Sequence, residues 1–301
     1  LSVEPDFPSR LADGRQLDEV LRADPELLGR EAALGSTALL VKLVDAADDL
    51  SLQIHPADDD PALEPGHSGK PEAWYIIDAE PGAGLYLGFK EAVSRGEVEA
   101  AIEKDARLDE LMFFVEVAKG DLFVIDPGTA HAIGRGVLLL EPQRVTPGLR
   151  GVTYRYWDWN RRYSKAGAPD PGGHPRPLHL QRALDVTDWN GPREKALVDR
   201  IRYPSGAAAS GDSASVEMLA SPAGPLQSDR FILRRLAGSG TLEAPPEDRL
   251  RSMTVLEGTV RILDEEGSTE VPRGQTAALP ATLGPTRIDL ERAHAIVCGL
   301  A

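Results

Sequence analysis

The feature that most constrains this chain is its punctuation. Turn signals built from Gly, Pro, Asn and Asp recur roughly every eight to twelve residues over much of the sequence, the rhythm of short strands joined by tight turns. With 29 Gly and 24 Pro in 301 residues, the pattern predicts β-sandwich or barrel architecture rather than a helix bundle. A chain of this length can bury substantial cores and more often forms two domains than one.

Apolar spacing at Leu17, Val20, Leu21, Leu27 and Leu28 predicts a short amphipathic helix over 17–28. Runs rich in apolar and β-branched residues predict strands at 37–44, 52–55 and 73–77. Residues 91–111 change character, with Val93, Val98, Ile102, Leu108 and Leu111 set among charges, and read as one or two short helices inserted into the β region. Strands return at 113–117, 122–125, 136–140 and 152–157. The Pro- and Gly-rich stretch 166–177 marks a boundary or surface crossover, a short helix is expected near 180–184, and 204–215 reads as a loop. Short strands then recur at 231–236, 253–256, 260–263, 276–279 and 295–297, with Asp264-Glu265-Glu266-Gly267 as a hairpin connection. The expected division is a first domain over 1–185, with its helical insertion near 91–111, and a smaller β domain over 186–301.

Three segments of the first domain carry chemistry. In Gln53-Ile54-His55 the amide and the imidazole share one face of a strand. Glu72 places a carboxylate just before an apolar strand, where an ordinary glutamate is solvated. His131 follows Asp126-Pro127-Gly128-Thr129-Ala130, a tight turn at the end of a strand. Together they offer nitrogen and oxygen donors with no thiolate, a set suited to zinc or another borderline divalent metal with a coordination position open to water or substrate. Singly, each has a plainer reading: a strand-face His is more often a hydrogen-bonded structural residue, and Lys70 with Glu72 can be a surface ion pair of little energetic weight. His67, His174, His179 and His294 have no comparable setting and are assigned to loops or packing.

The formal net charge of −15 argues against a general nucleic-acid binder, since phosphate contacts need a basic face and no Lys or Arg run supplies one. An anionic substrate would depend on local cations, for which Lys70, Arg144, Arg150, Arg155, Arg161 and Arg162 are the candidates. No apolar run approaches the roughly 20 residues that span a bilayer, and Glu4 and Asp6 stand where a targeting signal would be basic. The chain reads as soluble and cytoplasmic. Cys298 is the single cysteine; it reads as a small buried residue in a terminal strand, compatible with a reducing compartment. The start at Leu1, without Met, implies that an N-terminal piece is missing.

The combination of Ser51-Leu52-Gln53-Ile54-His55-Pro56, Gly69-Lys70-Pro71-Glu72, Pro127-Gly128-Thr129-Ala130-His131-Ala132-Ile133 and Tyr154-Arg155-Tyr156-Trp157-Asp158 resembles the type I mannose-6-phosphate isomerases in their short bacterial form. Arg176-Pro177-Leu178-His179 extends the likeness, which covers roughly residues 17–189. The resemblance implies two cupin-like jelly-roll domains, the first catalytic with a single zinc, and reversible interconversion of mannose 6-phosphate and fructose 6-phosphate through an enediolate. It implies Gln53, His55, Glu72 and His131 as zinc ligands and Arg155 as the active-site arginine. Ser51, Lys70 and Arg161 are then the substrate-binding candidates. Glu141 matches a family glutamate and is a candidate for proton transfer or sugar orientation, or else a structural carboxylate paired with an Arg. The chain departs from the family pattern at Arg144-Val145-Thr146-Pro147-Gly148-Leu149-Arg150-Gly151, which is longer and more basic than usual. The C-terminal region resembles the family's second domain only in general pattern, with no metal set. The competing readings are a metal-dependent cupin oxygenase and a sugar-binding or regulatory cupin without turnover; monomer and homodimer both stay open.

Overall fold

The computed structural model describes residues 8–104, 106–205, 213–265 and 267–301; most of the loop expected at 204–215 lies outside the described residues. Contacts group the chain into two compact units, each assembled from separated segments. One comprises Leu43–Glu141 and Leu149–Ser205, the other Leu1–Lys42, Pro142–Gly148 and Gly206–Ala301. This division differs from a cut at 185. Residues near the N-terminus belong with the C-terminal strands because Leu21 and Leu28 bury together with Leu250, and Arg30 pairs with Asp248 at 2.9 Å.

The first unit is a sandwich of two five-stranded sheets. Its strands in chain order are β1 (Leu39–Asp45), β2 (Leu52–Ile54), the two-residue β3 (His67–Ser68), β4 (Glu72–Ala79) and β5 (Gly84–Phe89). After the helical insertion come β6 (Met112–Glu116), β7 (Leu122–Ile125), β8 (His131–Ile133), β9 (Val137–Arg144), β10 (Arg150–Gly151), β11 (Tyr154–Trp157) and β12 (Arg202–Tyr203). The sheet orders are β1-β9-β4-β7-β12 and β11-β2-β8-β5-β6, and β10 lies parallel to β3. With the short and edge strands set aside, the alternation between the two sheets is that of a jelly roll, which bears out the mainly β expectation. Trp74 and Ile76 of β4, Leu85 and Leu87 of β5, Phe123 and Ile125 of β7 and Val137 and Leu139 of β9 share one buried cluster. Interdigitation of both sheets holds the sandwich closed.

Local sequence explains most of the helices. A helix forms at α1 (Leu17–Ala23), but the expected helix over 17–28 stops early: Asp24 precedes Pro25, whose ring disfavours a helical residue before it, and the chain continues as a 3-10 turn over Pro25–Leu28. The insertion contains α2 (Arg95–Glu103), started by a reciprocal capping box between Ser94 and Glu97, and a 3-10 turn at Leu108–Leu111. The helix α3 (Leu180–Val186) occurs where expected. The helix α4 (Glu194–Ile201) was not anticipated; its Leu197, Val198 and Ile201 bury into the sandwich cluster.

The second unit holds a seven-stranded sheet made of β13 (Ser215–Ser221), β14 (Leu226–Gln227), β15 (Phe231–Ala244), β16 (Arg251–Asp264), β17 (Gly267–Pro272), β18 (Thr276–Leu279) and β19 (Thr286–Leu300). The order is β14-β13-β15-β19-β16-β17, with β18 also on β16. The strand expected at 276–279 is β18, whereas the other short strands expected here are pieces of the longer β15, β16 and β19. Register shifts fall between Gly238 and Gly240 and around Gly258, all three with positive φ; a Cβ on Gly258 would lie 2.2 Å from the Arg292 carbonyl oxygen. Such glycine bulges bend a strand while its pairing continues, so the apolar period breaks although the ladder does not. Asp264 pairs with Gly267 across the β16–β17 hairpin, as the turn sequence predicts.

Candidate functional site

Register assembles the site on the inner face of the first unit. In the β11-β2-β8 ladder, Gln53 is paired with His131 on one side and with Arg155 on the other. Directly paired residues of antiparallel strands project to the same face, so these three side chains form a row. His55 leaves the end of β2, and β4 of the opposite sheet begins with Glu72. Side chains 53, 55, 72 and 131 of the sequence prediction thus come from three strands and one strand end.

Both imidazoles are locked by their backbone. The His55 Nδ1–H donates to the Val152 carbonyl at 2.9 Å, and the His131 Nδ1–H donates to the Thr129 carbonyl at 2.8 Å. Each bond fixes the tautomer that leaves a lone pair on Nε2. Those two Nε2 atoms point at the Glu72 carboxylate, at 3.4 Å from His55 and 3.1 Å from His131. Both are buried and make no hydrogen bond, and donor atoms of the three residues all lie within 4.8 Å of one another. Among the described residues this is the one such group of His, Cys, Asp or Glu. Two imidazole nitrogens and a carboxylate oxygen converging without mutual hydrogen bonds fit a divalent cation and leave positions for an amide oxygen, water or substrate.

The electrostatics agree with that fit. Burial, reinforced by Lys70 and His131 and opposed by Glu72, lowers the His55 pKa to about 4, so the ring is neutral and ready to ligate. Burial alone would raise Glu72, yet the two histidines, wherever they carry a proton toward it, hold its carboxyl well below the ordinary range. Lys70 Nζ lies 3.7 Å from the Glu72 carboxylate with its side chain 14% exposed. Gly151 passes so close that a Cβ there would stand 3.1 Å from Lys70 Cγ. Lys70 is therefore a shielded cation at the cluster, not a surface partner.

Trp74, two residues along β4 from Glu72, meets the His131 ring edge-on, with centroids 5.2 Å apart, and its indole N–H donates to Glu141 Oε1 at 3.3 Å. Glu141 is buried. Arg155 donates from Nε to Ser51 Oγ at 3.0 Å and from Nη1 to the Pro177 carbonyl at 3.4 Å. Burial first, then the charge of Arg176, lowers its pKa. Arg161 is committed elsewhere, to Asp158 at 2.6 Å and Asp48 at 3.1 Å. Asp158 is itself buried and accepts from Arg161, from Arg176 Nε at 2.9 Å and from the Tyr163 hydroxyl at 3.0 Å.

Several residues at the site escaped the sequence reading. Trp74 looked like strand core, and Gly151 like a loop glycine. His179, assigned to packing, accepts the Arg155 backbone N–H at its Nδ1, 3.3 Å away. Its only signal was the Arg-Pro-Leu-His motif.

A jelly roll that buries two tautomer-locked imidazoles against a glutamate defines a β-sandwich protein with a buried group that could hold a metal ion. No protein-family model matches the chain. It is 32% identical over 277 residues, 92% of this chain and 79% of the relative, to the Bacillus subtilis protein named Probable mannose-6-phosphate isomerase GmuF. It is 30% identical to mannose-6-phosphate isomerase ManA of the same organism, over 83% of this chain and 71% of that one. The crystal structure of the mannose 6-phosphate isomerase from Bacillus subtilis shares its fold, with a TM-score of 0.77 at 24% identity over 99% of this chain and 88% of that chain. The chain belongs to the mannose-6-phosphate isomerase family. Among its described residues no helix is long and apolar enough to cross a membrane.

Proposed function

We propose that this chain is a zinc-dependent aldose-ketose isomerase that interconverts mannose 6-phosphate and fructose 6-phosphate. The observation that carries the reading is the buried convergence of His55, Glu72 and His131 in a member of this family. Gln53, on the same sheet face as His131, would supply a fourth donor. When bound, zinc supplies Lewis acidity toward the sugar oxygens.

The isomerisation moves a proton between C1 and C2 while an enediolate oxygen gains negative charge. Arg155 is suited to stabilise that charge. Its guanidinium is half-buried and already oriented by Ser51 and Pro177, so little reorganisation is needed when the anion forms. Lys70 adds a second shielded cation that can hold a sugar oxygen against the Glu72 carboxylate. Glu141, oriented by the Trp74 indole, is the candidate to carry the proton. The work would then lie in the first unit, where all these residues reside. The buried Cys298 and the absence of a membrane-crossing helix among the described residues are compatible with a cytoplasmic setting.

Metal analysis of the purified protein, together with fructose 6-phosphate formation from mannose 6-phosphate with and without a chelator, tests this. Turnover that requires about one zinc per chain, the stoichiometry of a single site, is the expected result. Bound zinc with no turnover of this substrate would overturn the proposed reaction and leave the metal site standing.

A further inference from the structure

Arg155 is held by neutral partners. Its side chain donates to the Ser51 hydroxyl and the Pro177 carbonyl, and among the described residues it makes no ion pair. A carboxylate placed against the guanidinium would offset the charge it offers to a developing anion, whereas dipoles orient it and leave that charge available. Its backbone needs partners too, because β11 is an edge strand of its sheet. Residues 176–179 supply them. The His179 N–H donates to the Arg155 carbonyl at 2.9 Å, and the Arg155 N–H donates to His179 Nδ1 at 3.3 Å. This strap thus grips Arg155 by its backbone and, through Pro177, by its side chain.

The strap is fastened in turn by Asp158. This buried carboxylate accepts from Arg161 Nη2 at 2.6 Å on one oxygen, and from Arg176 Nε at 2.9 Å and the Tyr163 hydroxyl at 3.0 Å on the other. Arg176 opens the strap; its Nη2 donates to the Tyr163 hydroxyl at 2.8 Å and its guanidinium sits 4.6 Å over the Tyr163 ring. Between the two ends the loop closes on itself. Tyr163 and His174 exchange two backbone hydrogen bonds of 2.9 Å, and Arg162 Nη1 donates to the Gly173 carbonyl at 2.9 Å. The turn after Asp158 is strained, since Trp159 and Asn160 have φ of 57° and 54°, a left-handed conformation that is a genuine outlier for a bulky side chain. Trp157 holds that turn through Asn160 Oδ1 at 2.6 Å, and Trp159 through the Leu50 carbonyl at 2.8 Å. Strain of this kind persists only where the surroundings over-determine it.

We propose that Asp158 is a positioning residue for Arg155: by gathering Arg176 and the Tyr163 hydroxyl it clamps the 176–179 strap onto β11 and so fixes where the Arg155 guanidinium points. The chemistry that Arg155 performs rests on the isomerase reading; the clamp itself does not. Its carboxylate acts through intermediaries, which keeps the anchor charged and strong while the partners of Arg155 stay neutral. Arg161 and Arg176 compensate the Asp158 charge where it is buried, as a buried carboxylate requires.

Two measurements on the full, metal-loaded chain test the clamp. The first is hydrogen exchange without substrate: in Asp158→Asn the amides of Arg155 and His179 should exchange about tenfold faster or more, while those of β4 stay as protected as in wild type. The second is kinetic. Asp158→Asn should lower kcat about tenfold or more with KM and metal content nearly unchanged, since a misplaced charge is felt in the transition state. In an Arg155→Ala background the same substitution should change kcat by less than about twofold, because the effects of residues acting as one unit do not add. Should Asp158→Asn not fold, Tyr163→Phe removes one hydroxyl from the clamp, keeps the ring beneath Arg176, and should show the same pattern in smaller measure. Equal exchange in wild type and Asp158→Asn would overturn the clamp. So would a raised KM with kcat intact, or effects of Asp158→Asn and Arg155→Ala that simply multiply. Hastened exchange in a protein whose wild type turns over no mannose 6-phosphate would support the clamp and sink only the isomerase reading.

Discussion

Acidifying the metal-stripped protein from pH 7 to pH 5 should cost about 2 kcal/mol of stability through His55 alone. In the folded chain burial lowers this ring to about 4, whereas an unfolded imidazole titrates near the ordinary value of about 6.5. The unfolded state therefore binds the proton first. The contribution of His55 is complete above the unfolded pKa and is lost as pH falls toward the folded one. At about 1.4 kcal/mol per unit the whole difference amounts to about 3 kcal/mol, and roughly two-thirds of it is gone by pH 5, where the folded ring is still mostly neutral. Glu72 is held low as well, but its loss comes only below the ordinary carboxylate range, so the interval from pH 7 to 5 isolates imidazole chemistry. All four tryptophans, Trp74, Trp157, Trp159 and Trp189, lie in the first unit. Their fluorescence in urea titrations at pH 7, 6 and 5 reports that unit alone. His55→Gln, which keeps a donor for the Val152 carbonyl, should flatten the dependence by about 2 kcal/mol. Equal pH dependence in wild type and His55→Gln would refute the reasoning.

Three further outcomes follow from the same geometry. Gly151→Ala should push a methyl into the Lys70 stem, 3.1 Å away, and lower kcat/KM several-fold with metal content unchanged; unaltered kinetics would remove Lys70 from substrate contact. Trp74→Phe deletes the hydrogen bond to Glu141 and should cost about 1 kcal/mol by urea titration, as a lost buried hydrogen bond does, along with a drop in turnover at full metal occupancy. Burial pushes the Cys298 thiol up to about 12, so a disulfide reagent should find no reactive thiol in the folded protein and one per chain after denaturation; rapid labelling of the native state would contradict the buried placement.

Much of the first unit was legible because its strands obey local rules. The runs at 73–77 and 122–125 are apolar and β-branched or aromatic, and both become central strands, β4 and β7, buried on each face. The capping residues Ser94 and Glu97 lie within the segment read as helical, and they start α2. Legibility failed where tertiary context outweighed local pattern. Helix α4 is short and charged, and only its place over Leu85, Leu87 and Phe123 gives Leu197, Val198 and Ile201 something to cover. Strands β15 and β16 were read as fragments because glycine bulges interrupt the alternation that marks a strand.

The sequence by itself determined the chemistry on offer: which donors exist, that none is a thiolate, and that Gln53 and His55 stand one residue apart. It also carried the motifs by which the family could be recognised. Only the tertiary structure decided that His55, Glu72 and His131 meet, that carbonyls of Val152 and Thr129 fix both ring tautomers, and that Arg161 is bound to Asp158 and Asp48 while Arg155 has no ion pair among the described residues. The reason is that side-chain periodicity reports the face a residue occupies within its own strand. Which strands become neighbours, and in what register, is set by long-range pairing and burial that no local window contains.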